Sequence, residues 1–327
     1  MNLQLIIVIL TTTIISNAAF CSSSSQFPIT IHHAFGTSII KQKPERVATV
    51  AWANHEVPLA LGIIPVGFAA ATFGDDDGDG ILPWVEDQLK SLNAKTPALF
   101  DEGDGIDFEA VAATQPDVIL AAYSGLSLSD YETLSMIAPV VAYKNKPWST
   151  TWRSMIRINS AGLGMVEEGE NLINKIEHQI AERVSKYPEL QNKSAMFITH
   201  LDPTDLSVIR FYSANDARVN FFDDLGLHSP ESVKKVSQNG QYSGESSIEK
   251  IDDFNDVDIF VTYGSKRLLD QLASNPLMSK MNAIKHGSIV ILGNSQIATG
   301  ANPTPLSISW VLDDYLEALA AAARKIQ

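Results

Sequence analysis

Glu167–Tyr187, EEGENLINKIEHQIAERVSKY, decides how this chain is read. Ile173, Ile176, Ile180, Val184 and Tyr187 recur at steps of three and four, an apolar stripe along one helical face. Glu167, Glu168 and Glu170 crowd the N-terminal end and Arg183 and Lys186 the C-terminal end, the polarity that a helix dipole favours. Pro188 stops the run. The pattern predicts one unbroken helix of roughly twenty residues, about 30 Å long at ~1.5 Å per residue. The flanking segments Phe27–Gly164 and Leu190–Gln327 are equal in length, so the helix divides the chain into halves.

Both halves alternate apolar strands with helices. In the first, strands Val47–Ala51, Ile63–Phe68, Asp117–Ala122 and Pro139–Tyr143 alternate with helices through Val57–Leu61, Trp84–Leu92, Phe108–Ala113 and Ser129–Met136. A helix Trp148–Leu163 leads to the central one. The second half has strands Ala195–Thr199, Ser207–Tyr212, Val257–Tyr263 and Ser288–Leu292, with helices Arg218–Leu225, Ser247–Ile251 and Leu306–Arg324. Phe108-Glu109 before Asp117–Ala122 is echoed by Ile248-Glu249 before Val257–Tyr263. Such alternation predicts an α/β fold with parallel sheets: two Rossmann-like lobes, 27–164 and 189–327, joined by one long central α-helix within 165–188.

The chain carries 38 acidic and 24 basic residues, net charge −14, with 45% hydrophobic and 19% charged residues. An acidic balance argues against nucleic acid or an anionic membrane surface as the partner. Leu3–Ile15 is apolar but too short for a bilayer, which needs roughly twenty residues. It reads as a signal peptide within residues 1–20, although no Lys or Arg precedes it. The single cysteine, Cys21, opens the Ser-rich tether 21–26, so no disulfide forms within the chain. An apolar segment, one Cys and a serine tether resemble a bacterial lipoprotein signal. The expected location is the periplasm or the outer face of the cytoplasmic membrane, with a lipid anchor at Cys21 as one route there.

Ligands of open parallel sheets bind beyond the carboxyl ends of the strands. That rule nominates Trp52, Asn54 and His55, the loop Phe73–Asp79, Tyr123 and Ser124, and Lys144–Trp148 in the first lobe. In the second it nominates His200, Tyr212, Tyr263–Lys266 and Asn294–Gln296. Aromatic and hydrogen-bonding side chains dominate, as suits a bulky, partly flat ligand. Nucleophile-elbow, phosphate-loop and dinucleotide motifs are absent, and Cys21 lies in the tether, so nothing points to catalysis. Asp75, Asp77, Asp79, Gly80 and Glu86 match the EF-hand spacing. No helix leads into that loop and Pro83 falls inside it, so it is expected to be a polar turn and no bound metal is expected. His55 and His200 could face each other across a cleft and hold a transition metal, against the simpler expectation of isolated histidines.

Taken in order, Pro44-Glu45-Arg46-Val47, Leu61-Gly62-Ile63-Ile64-Pro65-Val66-Gly67, Phe108-Glu109 through Pro116-Asp117-Val118-Ile119, Ile137-Ala138-Pro139-Val140, Asn275-Pro276-Leu277 and Ala283-Ile284-Lys285-His286-Gly287 resemble the iron–siderophore substrate-binding proteins of bacterial ABC importers. The resemblance runs from about Phe35 to the C-terminus. It implies a non-catalytic protein that holds an iron(III)–siderophore complex between its lobes, without a cofactor, and passes it to a permease. Asp79-Gly80 with Leu82-Pro83-Trp84, and Trp148, are most similar to the enterobactin-type branch, which adds Trp84 to the candidates. Family members meet the permease through one glutamate per lobe, here Glu109 and Glu249. Catecholate binders hold their anionic ligand with basic side chains, yet Gly293–Pro305 has no Lys or Arg. Lys144, Arg153, Arg210, Arg218 and Lys266 are the candidate cations, so the resemblance implies a neutral, hydroxamate or carboxylate siderophore. Haem, cobalamin or a bare metal ion in the same fold is the alternative, and an enzyme on the same scaffold a further one.

Overall fold

A computed structural model describes residues 27–199, 201 and 204–326. The signal peptide, the tether with Cys21, and His200 lie outside the described residues. Ile29–His33 (β1) and Gly36–Ile40 (β2) form a small antiparallel hairpin. Val47–Thr49 (β3), Gly67–Ala69 (β4), Ala98–Phe100 (β5), Val118–Ala121 (β6) and Val140–Ala142 (β7) make a parallel sheet in the order β5-β4-β3-β6-β7. Ala195–Ile198 (β8), Val208–Tyr212 (β9), Ser243–Ser247 (β10), Ile259–Thr262 (β11) and Ile289–Ile291 (β12) make the second, in the order β10-β9-β8-β11-β12. The two sheets are separate.

The second sheet corrects the expectation of all-parallel lobes. β8, β11 and β12 are parallel, but β9 runs antiparallel to β8 and β10 antiparallel to β9. The cause is chain length. A parallel return needs a crossover of about a dozen residues or more, and the connection 199–207 is too short for one.

The predicted central helix spans Val166–Val184 and buries Ile173, Ile176, Ile180 and Val184. It ends before Tyr187 because Pro188 drives the preceding residue out of the helical region; Tyr187 sits at φ −125°. Helix Trp152–Gly162 packs on one side of it and helix Ser307–Ala323 on another. Gly169 makes the first contact close, since a Cβ there would strike Ser160 Oγ. Met155, Ile156, Leu312, Tyr315 and Leu316 join the stripe in one buried cluster that continues into Phe197 and Val261 of the second sheet. Each fully buried isoleucine of the stripe contributes about 1.5–3 kcal/mol.

Polar ties reinforce this clasp. Arg153 reaches Glu177 of the central helix at 2.6 Å and pairs bidentately with Asp224 of the second lobe at 2.8 and 2.9 Å. Glu56, fully buried, accepts from the Trp84 indole N–H (2.7 Å) and from the Leu306 amide (2.8 Å), pinning the start of the last helix to the first lobe. Burial pushes the Glu56 carboxyl upward, and these donors oppose the shift. In Glu56→Ala both N–H groups are left without an acceptor, each costing about 1–3 kcal/mol. The unfolding free energy in urea should fall by about 3 kcal/mol; a fall below ~1 kcal/mol would show that the pin is dispensable.

Candidate ligand-binding cleft

A cleft opens beyond the carboxyl ends of β3, β4 and β6 in the first sheet and of β11 in the mixed second sheet. Its central cavity, about 400 Å³, is lined by Trp52, Phe73, Tyr123 and Trp148 from the first lobe and by Tyr212, Arg218, Tyr242 and Tyr263 from the second, with Asp216, Thr299 and Asn302. Local backbone explains the first wall. After β3 the chain turns sharply, with Ala51 and Ala53 both at φ 59°, a conformation costly to an alanine. Asn54 secures the turn: its Nδ2 donates to Val50 O and Tyr123 O, and its Oδ1 accepts from Tyr123 N and from Asn159 Nδ2. Trp52 is thereby presented at the strand end. Trp148 also sits at positive φ, 56°, outside the helix expected from 148; its amide donates to Ser124 O. Its indole lies over Gly125, where a Cβ would collide with it, and meets Tyr123 edge-on with centroids 5.3 Å apart.

In the second wall, Arg218 is the cation that lines the central cavity. Its Nη1 donates to both oxygens of Asp216 (2.9 and 3.0 Å), its Nε donates to Tyr263 Oη (3.0 Å), and its guanidinium lies 4.3 Å from the Tyr212 ring. Among the described residues its Nη2 makes no hydrogen bond, leaving a donor free. Burial works against this charge, but Asp216 and the surrounding phenols outweigh it and hold the guanidinium protonated. Burial likewise raises the phenols of Tyr123 and Tyr263, and that of Tyr212 to about 12. All three keep their protons. The cavity therefore offers N–H and O–H donors on apolar walls, with its one cation neutralised by one carboxylate.

Several sequence candidates lie elsewhere. Asn54 and Ser124 are fully buried and bonded to backbone, Ser124 Oγ donating to Ala121 O at 2.8 Å. Trp84 is buried on Glu56, and Arg153 is committed to Glu177 and Asp224. Lys266 is exposed at the start of a helix, away from the cavity lining. Arg210 is exposed beside Glu245, with Lys146, at a neighbouring opening of about 860 Å³. The Asp75, Asp77 and Asp79 carboxylates come within 4.8 Å of one another but accept backbone amides of their own loop, and Glu86 pairs with Lys90 at 2.7 Å. His55 is buried and stacked on Phe68, and burial lowers its pKa to about 3. Sequence reasoning missed Asp216, Tyr242, Thr299 and Asn302. Asp216 had a legible signal, an Asp two residues before Arg218 capping its helix; Asn302 lies in an aperiodic loop and had none.

The model for the family described as periplasmic binding protein matches residues 47–295. Streptococcus pneumoniae TIGR4 PiaA, solved in complex with ferrichrome, superposes with a TM-score of 0.88 at 45% identity, covering 91% of this chain and 100% of that one. Staphylococcus aureus SirA, solved with staphyloferrin B, shares the fold at a TM-score of 0.70 and 22% identity, covering 89% and 98%. The probable siderophore-binding lipoprotein YfiY of Bacillus subtilis (strain 168) is 26% identical over 288 residues, 84% of this chain and 82% of that protein. The chain belongs to the periplasmic binding protein family.

Proposed function

We propose that this protein captures a ferric siderophore in the interlobe cleft, without catalysis, and delivers it to an ABC permease. The ligand class is a neutral ferric hydroxamate. The observation that carries this reading is the Arg218–Asp216 pair inside an aromatic cavity: a donor for metal-bound oxygens with its charge already cancelled. The likeness to ferrichrome-bound PiaA supports the same class. Trp52, Trp148, Tyr212 and Tyr242 supply apolar area to the organic shell, while Arg218 Nη2 and the phenols donate to its oxygens. A catecholate complex, strongly anionic, would set its charge against Asp216.

Glu109 and Glu249 are the proposed permease contacts. Each is the second residue of a short helix, behind a side-chain cap from Asp107 or Ser247, and each is exposed. Among the described residues neither forms a salt bridge. One free carboxylate per lobe suits registration on a basic partner. The lipoprotein relative supports acylation of Cys21 as the anchor, with the mature protein outside the cytoplasmic membrane.

Tryptophan quenching tests the ligand class. A ferric trihydroxamate should quench and a ferric triscatecholate, haem or cobalamin should not; the reverse order would sink the assignment. Arg218→Lys keeps a charge opposite Asp216 but loses the planar fork. Its affinity for the trihydroxamate should fall about tenfold or more, and an unchanged affinity would remove Arg218 from the site. Docking is tested separately: Glu109→Lys with Glu249→Lys should leave quenching intact while siderophore-dependent iron uptake drops about tenfold. Normal uptake by the double variant would refute the docking role.

A further inference from the structure

A second cavity, about 410 Å³, shares Trp52, Thr72 and Trp148 with the central one but belongs to the first lobe alone. It opens at the carboxyl ends of four strands: Ala51 follows β3, Ala70 and Ala71 follow β4, Glu102 follows β5 and Gly125 follows β6. Among the described residues its acidic lining groups are Glu102 and Asp130, and no Lys or Arg lines it. Burial pushes the Glu102 carboxyl up to about 7, so an arriving cation would favour its ionised form. Glu102 is oriented by the amide of Ala51, which donates to its two carboxylate oxygens at 2.9 and 3.1 Å. Asp130 gives Oδ2 to the Ser127 amide and hydroxyl, while among the described residues its Oδ1 accepts nothing.

Two more wall groups lack partners. His55, 6% exposed, has a buried Nδ1 with no hydrogen bond, and the Trp52 indole N–H is likewise unpaired. Burial keeps His55 neutral, so it adds no positive charge to this wall. Trp52 and Trp148 line both this cavity and the central one.

Resting on the siderophore-capture reading, we propose that this cavity is a subsite for a ligand arm ending in a protonated amine, with Glu102 as the residue that selects it. A compact ammonium has three donors and no acceptor, and this wall supplies the carboxylate oxygens of Glu102 and Asp130. An indole face attracts a cation that lies over it, and two indoles belong to this lining. The core of the ligand stays neutral beside Arg218 and Asp216, and the arm alone carries charge.

The test uses a linear ferric trihydroxamate with one terminal primary amine and the same complex with that amine acetylated, titrated by tryptophan quenching. Unmodified protein should bind the amine form about tenfold tighter, the size of one charge-assisted hydrogen bond, and Glu102→Gln should bring the ratio to about one. If Glu102→Gln does not fold, Asp130→Asn, which retains a capping oxygen for Ser127, should lower the ratio instead. Equal affinities on the unmodified protein, or tighter binding of the acetylated form, overturn the subsite while leaving siderophore capture standing. Quenching by neither complex removes both.

Discussion

The clasp on the central helix is the constraint from which the rest follows. Ile173, Ile176, Ile180 and Val184 are gripped by helix Trp152–Gly162 and helix Ser307–Ala323, and the same buried cluster contains Tyr123 and Tyr263 from the cleft floor. Trp52, Phe73, Trp148 and Tyr212, the half-buried walls of the cleft, pack directly against it. A side chain can hold a ligand only as firmly as its own support holds it. Here the candidate binding surface is the exposed edge of the hydrophobic core, whose packing holds its side chains.

That arrangement also limits motion. Glu56 ties the last helix to the first lobe, and Arg153 ties the first lobe to both the central helix and Asp224. Lighter contacts cross the cleft mouth, Lys146 Nζ donating to Gly240 O and Gln296 Nε2 to Asp76. A buried tie at Glu56 and a half-buried one at Arg153 lie near the axis, with single exposed contacts at the rim. Ties of that distribution would let the mouth yield more readily than the floor, as small-amplitude closure requires.

Periodicity made the fold legible. A 3.6-residue stripe and a downstream proline located the central helix to within a few residues, and strand ends led to Trp52, Tyr123, Trp148, Tyr212 and Tyr263. The misses share a physical cause. Residue type announces chemistry, but long-range partners decide whether it is available: Asn54, Ser124, Trp84 and Arg153 are all spent on contacts with residues distant in sequence or with buried backbone. The antiparallel β9 was legible in the short connection before it, though alternation pointed the other way. Arg218 was one of five candidate cations; Asp216 is its neighbour in sequence, but only tertiary structure could set the pair among the phenols of Tyr212 and Tyr263 and leave Lys266 in solvent.

Charge cancellation at Arg218 has a further consequence for selectivity. A buried unpaired arginine would be expensive to desolvate and would favour any anion able to reach it. Pairing with Asp216 removes the first difficulty and changes the second: an incoming anion gains Arg218 but meets a carboxylate on the far side of the same guanidinium. A neutral complex with oxygen acceptors gains the free Nη2 donor and the phenol hydroxyls without that opposition. Specificity is a difference between affinities, and on the proposed reading the carboxylate disfavours the charged competitor while aromatic area, indifferent to charge, favours every ligand of the right size. In the proposed complex the pair would filter charge, and the tryptophans and tyrosines would supply the grip.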